Sequence, residues 1–504
     1  MTDGGVAGTL CGGRPATFFK ACVLSAFLFV TGSLHAAKPN FVIIFTDDQG
    51  YGDLSCFGSK TIKTPNIDYI AEHGVRFDQA ISPTPVCSAA RASFFTGRTA
   101  SQHGVHDFLS DADSSTDQWL DGETLLSEIL SDQGYRVGLF GKWHATTKSW
   151  NPVRGFDRWL TYDERQADWV NQYLHSGTVY FSSDGQAIHY TGVQARYLSE
   201  EAVRFIDSSG DDPFAAFVNF VEPHFPFEGL PDRLVEQYRA IATDIVAAGD
   251  TSSFNSSANV LTAQPNAPGV DTHAETIAQY LAAVTLVDEQ VGRLLDALTG
   301  RGLLRNTVVI FTSDHGHLTG QYGLYGKGNA TVPQNLYQQS INIPLIISGP
   351  IEHVTPGQVR QEFVNLYDIF PTVLELIGAG EAQADYDGPG ISLMPLLKGR
   401  RMIRFRDFQF AEMGNARMAH DGRWKLVRYY RKNSSLEPKE VWFDLSHPLG
   451  ERRPAPAPSE SQQERLRTAL NDFFSTYETD EHSGRRIWDL PRHNGMEIWR
   501  KKTF

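Results

Sequence analysis

Four short apolar segments, each followed at once by charged residues, constrain the fold of this chain more than any other feature. The segments are residues 41–45, 135–140, 214–221 and 307–311, and helical stretches separate them. Each is rich in the β-branched and aromatic residues that favour buried strands. Alternation of such strands with helices is typical of a doubly wound sheet sandwiched by helices. The sequence therefore predicts an α/β fold.

The polar residues that directly follow these segments carry the candidate chemistry. They are, in chain order, Asp47 and Asp48, Lys142 and His144, His224, and Asp314 and His315. Ligands of an open α/β sheet bind beyond the carboxyl ends of the strands, where distant parts of the sequence can meet. An Asp-Asp or Asp-His pair alone is more often a turn or a helix cap. Together, three carboxylates and an imidazole favour a hard divalent ion such as Ca²⁺ or Mg²⁺ and leave room for Mn²⁺ or Zn²⁺.

The pattern changes beyond about residue 395. Residues 408–413, 424–430 and 441–445 alternate like the strands of a small antiparallel sheet, and a helix is predicted from about residue 460 to residue 477. We therefore expect a catalytic domain over residues 38–395 and a smaller C-terminal subdomain over residues 396–504. The basic, aromatic tail of that subdomain is expected to be solvated, with a return toward the active site as the alternative.

The first 37 residues have the features of a secretory signal peptide. Arg14 and Lys20 precede an apolar run at residues 21–30, and small residues follow up to Ala37. We expect cleavage near Ala37 and export to the periplasm or the medium. An uncleaved membrane anchor is the alternative, but the run is shorter than the ~20 residues of a spanning helix. Because no later segment is long and apolar enough, no stable membrane insertion is expected.

Composition narrows the classes of partner. The chain has 45 Lys plus Arg against 59 Asp plus Glu, a net charge of -14 that argues against a general nucleic-acid binder. Cleavage near Ala37 would leave Cys56 and Cys87, which are too few for a disulfide framework. The two cysteines could form one bridge or remain separate buried thiols.

The most specific segment is residues 85–98, which read Pro-Val-Cys-Ser-Ala-Ala-Arg-Ala-Ser-Phe-Phe-Thr-Gly-Arg. Cys87, followed four residues later by Arg91, resembles the Cys-x-Pro/Ala-x-Arg signature of the formylglycine-dependent sulfatases of the alkaline phosphatase superfamily. In that family the cysteine is oxidised to formylglycine. Ala89 takes the place of the commoner proline, as in the variant that resembles substrates of radical-based maturation enzymes.

The resemblance extends over residues 38–445 and implies a large mixed, mostly parallel sheet with helices on both sides. It also implies roles for residues in this chain. The implied ligands of one divalent metal ion, with Ca²⁺ the expected ion, are Asp47, Asp48, Cys87, Asp314 and His315. The implied catalytic residues are Cys87, Arg91, Lys142, His144, His224 and Lys327.

The implied reaction is hydrolysis of sulfate monoesters through a formylglycine hydrate and a sulfo-enzyme intermediate. His144 would act as the base that expels sulfate, and His224 or Lys327 would protonate the leaving alcohol. A formylglycine-generating maturation enzyme is therefore an expected partner. An alternative of the same superfamily is a phosphodiesterase or phosphonate monoester hydrolase, and one of another class is a glycan-binding pseudoenzyme with unmodified Cys87.

The expected substrate is a sulfated carbohydrate or polysaccharide. Residues 101–108 resemble the corresponding stretch of bacterial carbohydrate sulfatases, in which His106 and Asp107 would contact sugar hydroxyls. A capped loop is the alternative explanation for these two residues.

Overall fold

The four predicted strand segments form adjacent strands at the centre of one ten-stranded sheet. The protein is described by a computed structural model over residues 1, 13, 38–110, 114, 116–166, 174–227, 229–248, 262–263, 273–402, 404–447, 450–490 and 497–501. The predicted signal peptide therefore lies almost wholly outside the described residues. Residues Lys38–Phe504 form one compact unit.

The strands of the described residues are, in chain order, β1 (Asn40–Thr46), β2 (Gly74–Phe77), β3 (Ala80–Ile81), β4 (Arg136–Gly141), β5 (Arg158–Tyr162), β6 (Ser176–Ser183), β7 (Gln186–Val193), β8 (Phe214–Asn219), β9 (Thr262–Ala263), β10 (Thr307–Ser313), β11 (Leu318–Thr319), β12 (Tyr325–Gly326), β13 (Thr331–Val332), β14 (Leu345–Ser348), β15 (Gln358–Arg360), β16 (Val364–Asn365), β17 (Gln409–Met413), β18 (Ala416–His420), β19 (Trp424–Tyr429) and β20 (Lys439–Asp444).

The α-helices of the described residues are α1 (Pro65–Glu72), α2 (Cys87–Thr96), α3 (Ala100–His103), α4 (Leu126–Asp132), α5 (Gln194–Ser208), α6 (Asp232–Ala248), α7 (His273–Gly300), α8 (Gln338–Ile341), α9 (Ile369–Ile377), α10 (Gly380–Asp385), α11 (Met394–Leu397), α12 (Glu460–Thr476) and α13 (Ile498–Lys501). Among them, none has an apolar stretch long enough to cross a bilayer.

The large sheet has the strand order β15-β2-β14-β10-β1-β8-β4-β5-β6-β7. Strands β10, β1, β8, β4 and β5 run parallel to one another, whereas β14 is antiparallel to β10 and β6 to β5. The sheet is thus mixed but mostly parallel at its centre. Because the four predicted segments are neighbours in the same direction, their carboxyl ends meet at one edge, as the sequence predicted.

Strand β1 shows why the sheet has helices on both faces. Phe41, Ile43 and Phe45 belong to one apolar core, Val42 and Ile44 belong to the other, and all five are fully buried. Each such side chain stabilises the fold by roughly 1.5–3 kcal/mol. The first core includes α2 and α9, and the second includes α5 and α7. The predicted sandwich of a sheet between helices is therefore confirmed.

A second sheet, of four antiparallel strands in the order β17-β18-β19-β20, follows in the C-terminal part. Its strands alternate between two cores: Met418 and Val427 join the core around α2, while Leu426 and Trp442 pack with Leu470 of α12. The predicted small antiparallel sheet is confirmed.

The sequence pattern did not predict β18, because a charged residue stands second among its five residues. Arg417 is nevertheless 1% exposed, since Glu412 and Glu478 lie 3.6 Å and 2.6 Å from its guanidinium. Two carboxylates compensate the buried charge, so the strand can pack like its neighbours.

The described end of the tail is not solvated, so that expectation is wrong for residues 497–499, which are buried. Trp499 packs over Gly414 in the turn between β17 and β18. Any side chain at position 414 would overlap the indole, and the backbone there has a left-handed φ of 54° that favours glycine.

Candidate active site

Three carboxylates and one imidazole meet at the carboxyl ends of β1 and β10. Asp48 adopts a left-handed φ of 63° directly after β1, and its backbone N–H donates to Asp314 Oδ1 at 3.2 Å. The His315 N–H donates to the same oxygen at 2.9 Å, and His315 Nε2 lies 3.3 Å from Asp48 Oδ1. The parallel pairing of the two strands thus brings residues 47–48 and 314–315 together.

Cys87 is the first residue of α2 and points into this cluster. Its Sγ lies 2.9 Å from Lys327 Nζ and 3.4 Å from His315 Nε2, and the residue is 2% exposed. Burial and Asp47 act to raise the pKa of the thiol, but Lys142, Lys327 and His315 outweigh them and hold it well below its usual range. Position 87 is therefore a place where an anionic nucleophile is stabilised.

Cys56 and Cys87 are both free, so the alternative of a disulfide bridge between them does not hold.

Arg91 lies one helical turn after Cys87, on the same face of α2. Its Nε donates to Asp314 Oδ2 at 3.0 Å and its Nη1 to the Lys142 carbonyl at 2.8 Å. Burial acts to lower the Arg91 pKa, but Asp314 and Asp47 raise it above its ordinary value. The guanidinium thus joins the ends of β4 and β10 beside Cys87.

Two lysines complete the charge distribution. Lys142 Nζ forms an ion pair with Asp47 Oδ2, and Lys327 Nζ lies 2.5 Å from Asp48 Oδ1. Burial acts to raise the pKa of both aspartates, yet the neighbouring cations, led by Lys142 for Asp47 and by Lys327 for Asp48, hold each pKa well below its usual range. Both carboxylates are therefore ionised.

The donor set fits a divalent cation. Possible ligand atoms of Asp47, Cys87, Asp314 and His315 lie within 4.8 Å of one another, and so do those of Asp47, Asp48, Cys87 and His224. Asp47 Oδ1 and Asp48 Oδ2 are buried and accept no well-formed hydrogen bond within the described residues, and the donors beside them include Arg91 Nη2 at 3.7 Å from Asp47 Oδ1 and His317 Nδ1 at 3.4 Å from Asp48 Oδ2. Buried carboxylate oxygens with such poor hydrogen bonding are costly unless they coordinate an ion, so these two atoms fit ligands of a hard cation.

Two histidines face the cluster from the ends of β4 and β8. His144 has a left-handed φ of 52°, and its Nε2 bonds to the Leu109 carbonyl at 2.8 Å. Burial lowers the His144 pKa, and the neighbouring Cys87 side chain partly opposes that shift. His224 Nε2 lies 3.7 Å from Asp48 Oδ2, while its Nδ1 bonds to the Phe225 carbonyl.

The structure does not bring His106 and Asp107 into the cluster. Both are buried beneath the C-terminal tail: His106 Nε2 bonds to the His482 carbonyl at 2.6 Å, and Asp107 Oδ2 accepts the Glu497 N–H at 2.7 Å. The alternative of a capped loop describes these contacts better than exposed sugar-binding side chains do.

His317 is a site residue that the sequence analysis missed. Its Nδ1 lies 3.4 Å from Asp48 Oδ2, and its ring stacks on Tyr280 with centroids 5.9 Å apart. Its position two residues after His315 is a signal that could have identified it. Tyr280 lies on α7 and donates to Asp53 at 2.7 Å, a contact that no local pattern indicates.

Comparison with known proteins gives concordant matches. A family model described as Sulfatase matches residues 39–379. The chain is 29% identical over 411 residues to an ulvan-active sulfatase of Formosa agariphila, covering 74% of this chain and 73% of that protein. It is 28% identical to a steryl-sulfatase of Mus musculus, covering 86% of this chain and 81% of that protein. A solved structure in complex with its substrate D-glucosamine-2-N,6-O-disulfate has a TM-score of 0.72 at 21% identity, covering 88% of this chain and 99% of that one.

Proposed function

The chain belongs to the sulfatase family and is a sulfuric ester hydrolase, and we propose that it removes sulfate from a carbohydrate by way of a formylglycine at position 87. The observation that carries this proposal is the surroundings of Cys87 Sγ. Cys87 Sγ is buried, lies 2.9 Å from Lys327 Nζ and is within 4.8 Å of possible carboxylate ligands. A nucleophile at this position would be activated by the bound ion, and the neighbouring lysine would compensate its charge.

The charge balance supports an anionic substrate. Three carboxylates, of Asp47, Asp48 and Asp314, face three cationic side chains, of Arg91, Lys142 and Lys327. A divalent ion held by Asp47, Asp48, Asp314, His315 and residue 87 would add its charge to these cations and favour an anionic sulfate ester in the pocket. Bound there, that ion, for which Ca²⁺ is our proposal, would supply Lewis-acid polarisation of the substrate oxygens and of the nucleophile.

In the first half of the reaction, one hydroxyl of the hydrated aldehyde at position 87 gives its proton to the neighbouring Asp314 carboxylate and attacks sulfur. A new O–S bond forms, and the bond from sulfur to the alcohol oxygen breaks. Lys142 and Lys327 compensate the charge that develops on the sulfuryl oxygens. His224 or Lys327 donates the proton that the leaving alcohol needs, since both side chains lie beside Asp48 in the carboxylate cluster.

In the second half, the remaining hydroxyl on the same carbon loses its proton to His144. The C–O bond to sulfate then breaks, the aldehyde forms again and water rehydrates it. A base is required because the sulfo-enzyme is an alkyl sulfate, and elimination avoids an attack of water on its shielded sulfur. His144 is suited to this role because one ring nitrogen is fixed by Leu109 and the Cys87 side chain is its other polar neighbour.

The carbohydrate assignment is supported by two similar proteins, one named for activity on ulvan and one solved with a sulfated glucosamine as its substrate. The steryl-sulfatase match makes a panel of substrates the appropriate test. We expect turnover of a sulfated saccharide to exceed that of steryl and aryl sulfates in kcat/KM. Faster turnover of an aryl phosphodiester than of any sulfate would instead favour the phosphodiesterase alternative.

The modification is tested on residue 87 itself. Peptide mapping of active enzyme from the native host should find an aldehyde at position 87, installed by a formylglycine-generating maturation enzyme. The Cys87→Ser variant offers one hydroxyl, so it should turn over at most once and keep sulfate on the serine. A free thiol in fully active enzyme, or repeated turnover by a sulfate-free serine, would contradict the mechanism and leave the pseudoenzyme or another nucleophile to be considered.

Export is proposed from residues 1–37 alone. The expected result is that protein recovered from the periplasm or medium of the native host begins close to residue 38. An intact N-terminus on membrane-bound protein would favour the anchor.

A further inference from the structure

The chain after α12 returns to the region of the nucleophile helix. We call residues 477–490 and 497–501 the tail segment. Its Thr479 N–H donates to the Ser101 carbonyl at 3.0 Å, and the Gly484 N–H donates to Ser101 Oγ at 3.1 Å. Ser101 lies in α3, which follows α2 directly, so the tail segment is held on the same part of the molecule as Cys87.

Beyond α3 the tail segment contacts residues 106–109, which we call the bridging loop. Its contacts include the His482 carbonyl with His106 Nε2 at 2.6 Å and the Glu497 N–H with Asp107 Oδ2 at 2.7 Å. The other carboxylate oxygen of Asp107 accepts the Phe108 N–H at 2.9 Å. Asp107 is 4% exposed, so its carboxylate is a buried acceptor shared between the loop and the tail segment.

The bridging loop in turn connects the nucleophile helix to the proposed base. The Leu109 N–H donates to Ser88 Oγ at 2.9 Å, and the Leu109 carbonyl lies 2.8 Å from His144 Nε2. Ser88 is the residue next to Cys87. The backbone of one residue, through its N–H on one side and its carbonyl on the other, therefore fixes the separation between position 87 and the His144 imidazole.

The Leu109 carbonyl also determines the tautomer of His144. A carbonyl can only accept, so His144 Nε2 must carry the hydrogen, and Nδ1 keeps its lone pair. The left-handed φ of His144 is an unfavourable conformation for a residue with a side chain, and it needs such support from its surroundings.

We infer that Asp107 is a positioning residue for His144: by tying the bridging loop to the tail segment it holds the Leu109 carbonyl against Nε2 and keeps Nδ1 free to accept a proton. The inference rests on the proposed function, in which His144 is the base of the second half of the reaction. The C-terminal tail segment then acts on catalysis indirectly, through its contacts with His106 and Asp107.

The test compares Asp107→Ala with a matched variant, Asp288→Ala. Asp288 is also a buried carboxylate that accepts two backbone N–H groups, from Asn66 and Ile67 at 3.0 Å and 2.9 Å, but it caps α1 and has no connection to His144. Nitrogen NMR of histidine-labelled protein, assigned with His144→Ala, reports the tautomer without requiring maturation or turnover. We expect a single Nε2-protonated state in the parent protein and in Asp288→Ala, and a mixture of tautomers in Asp107→Ala.

Single-turnover kinetics of matured enzyme give the second measurement. Asp107→Ala should release sulfate about tenfold more slowly or worse, while release of the alcohol in the first turnover changes by less than about twofold. Asp107→Asn, which keeps one acceptor oxygen, should recover most of that loss, and Asp288→Ala should alter neither step. An unchanged tautomer in Asp107→Ala overturns the inference whatever its activity. An altered tautomer in Asp107→Ala, together with an unmodified residue 87 in fully active enzyme from the native host, upholds the inference and refutes the proposed function instead.

Discussion

The two sides of the active site are built in different ways. On the carboxylate side, Asp47 and Asp314 follow neighbouring parallel strands whose register pairs Thr46 with Ser313. On the base side, His144 depends on the Leu109 carbonyl and, through the bridging loop, on Glu497, which lies 390 residues from Asp107 in the sequence. Sheet pairing positions the first set through many contacts, whereas single hydrogen bonds position the second.

This difference predicts how each side responds to change. Replacing a carboxylate on this side should abolish its catalytic contribution and leave the backbone in place, because the pairing of β1 with β10 does not depend on that side chain. A change on the base side should alter one step of the reaction in a graded way.

The largest effect is expected for Asp314→Ala. The variant removes a proposed metal ligand and a partner of Arg91, so turnover should fall by about 10⁴-fold or more. Thorough chelation of the parent enzyme should have a comparable effect. Metal content and kcat are measured on protein whose fold is checked by circular dichroism.

A matched control separates this loss of chemistry from the loss of a buried ion pair. Asp368 is buried and lies 2.7 Å from Arg406, away from the active site, as Asp314 lies 3.0 Å from Arg91. Removing one partner of a buried pair costs about 3–5 kcal/mol, so Asp368→Ala should lower the free energy of unfolding and keep its kcat. Equal activity of Asp314→Ala and Asp368→Ala in the folded state would refute the role of Asp314.

A smaller and more selective effect is expected on the base side. His144→Ala in matured enzyme should slow turnover by about 100- to 1,000-fold and accumulate sulfo-enzyme, because the second hydroxyl survives but its base is absent. The intact mass after substrate incubation shows the covalent sulfate. His224→Ala is the contrasting variant, since losing the leaving-group acid should slow the first half and leave no covalent sulfate. If both variants accumulate the same species, the two histidines do not divide the reaction as proposed.

The carboxylate side is also the side that the sequence predicts best. Residues 47, 48, 314 and 315 were identified because each pair directly follows an apolar segment, and the structure confirms that these segments are adjacent parallel strands. The fold class follows from the same pattern. The physical reason is that strand direction and side-chain alternation are local properties that a single sequence displays.

The base side shows what a sequence does not display. Nothing near Asp107 indicates that its acceptor oxygen meets a backbone N–H from the far end of the chain. The family resemblance of residues 101–108 predicts a sugar contact there, with a capped loop as the alternative. Arg417 in β18 is a similar case, because the two glutamates that permit its burial come from other elements. Polar contacts between residues far apart in the chain produce no periodic pattern in the sequence. Every residue except proline has a backbone N–H, so a backbone donor cannot be recognised from the residue type.

The smallest effect concerns the contact between the tail segment and the bridging loop at low pH. Burial lowers the pKa of His106 to about 4, and nearby Arg417 and His482 act in the same direction, while the hydrogen bond to the His482 carbonyl opposes them. The unfolded chain binds this proton near pH 6.5 and the folded chain only near pH 4, so the unfolded state binds more protons between these values. Stability contributed by neutral His106 is therefore lost as the pH falls from about 6.5 to about 4, by up to roughly 3 kcal/mol.

His106→Gln tests this contribution, because the glutamine amide can donate to the same carbonyl but does not titrate. Denaturant unfolding at pH 7 and pH 4.5 should show a smaller loss of free energy in the variant than in the parent protein. His73→Gln, at an exposed position after α1, is the control and should leave the parent's pH dependence unchanged. If His106→Gln loses as much stability on acidification as the parent does, the tail segment is not held by a neutral His106. Cleavage by protease at pH 4.5 should then be no faster near residue 482 than elsewhere, because protonation of His106 would not release the tail segment.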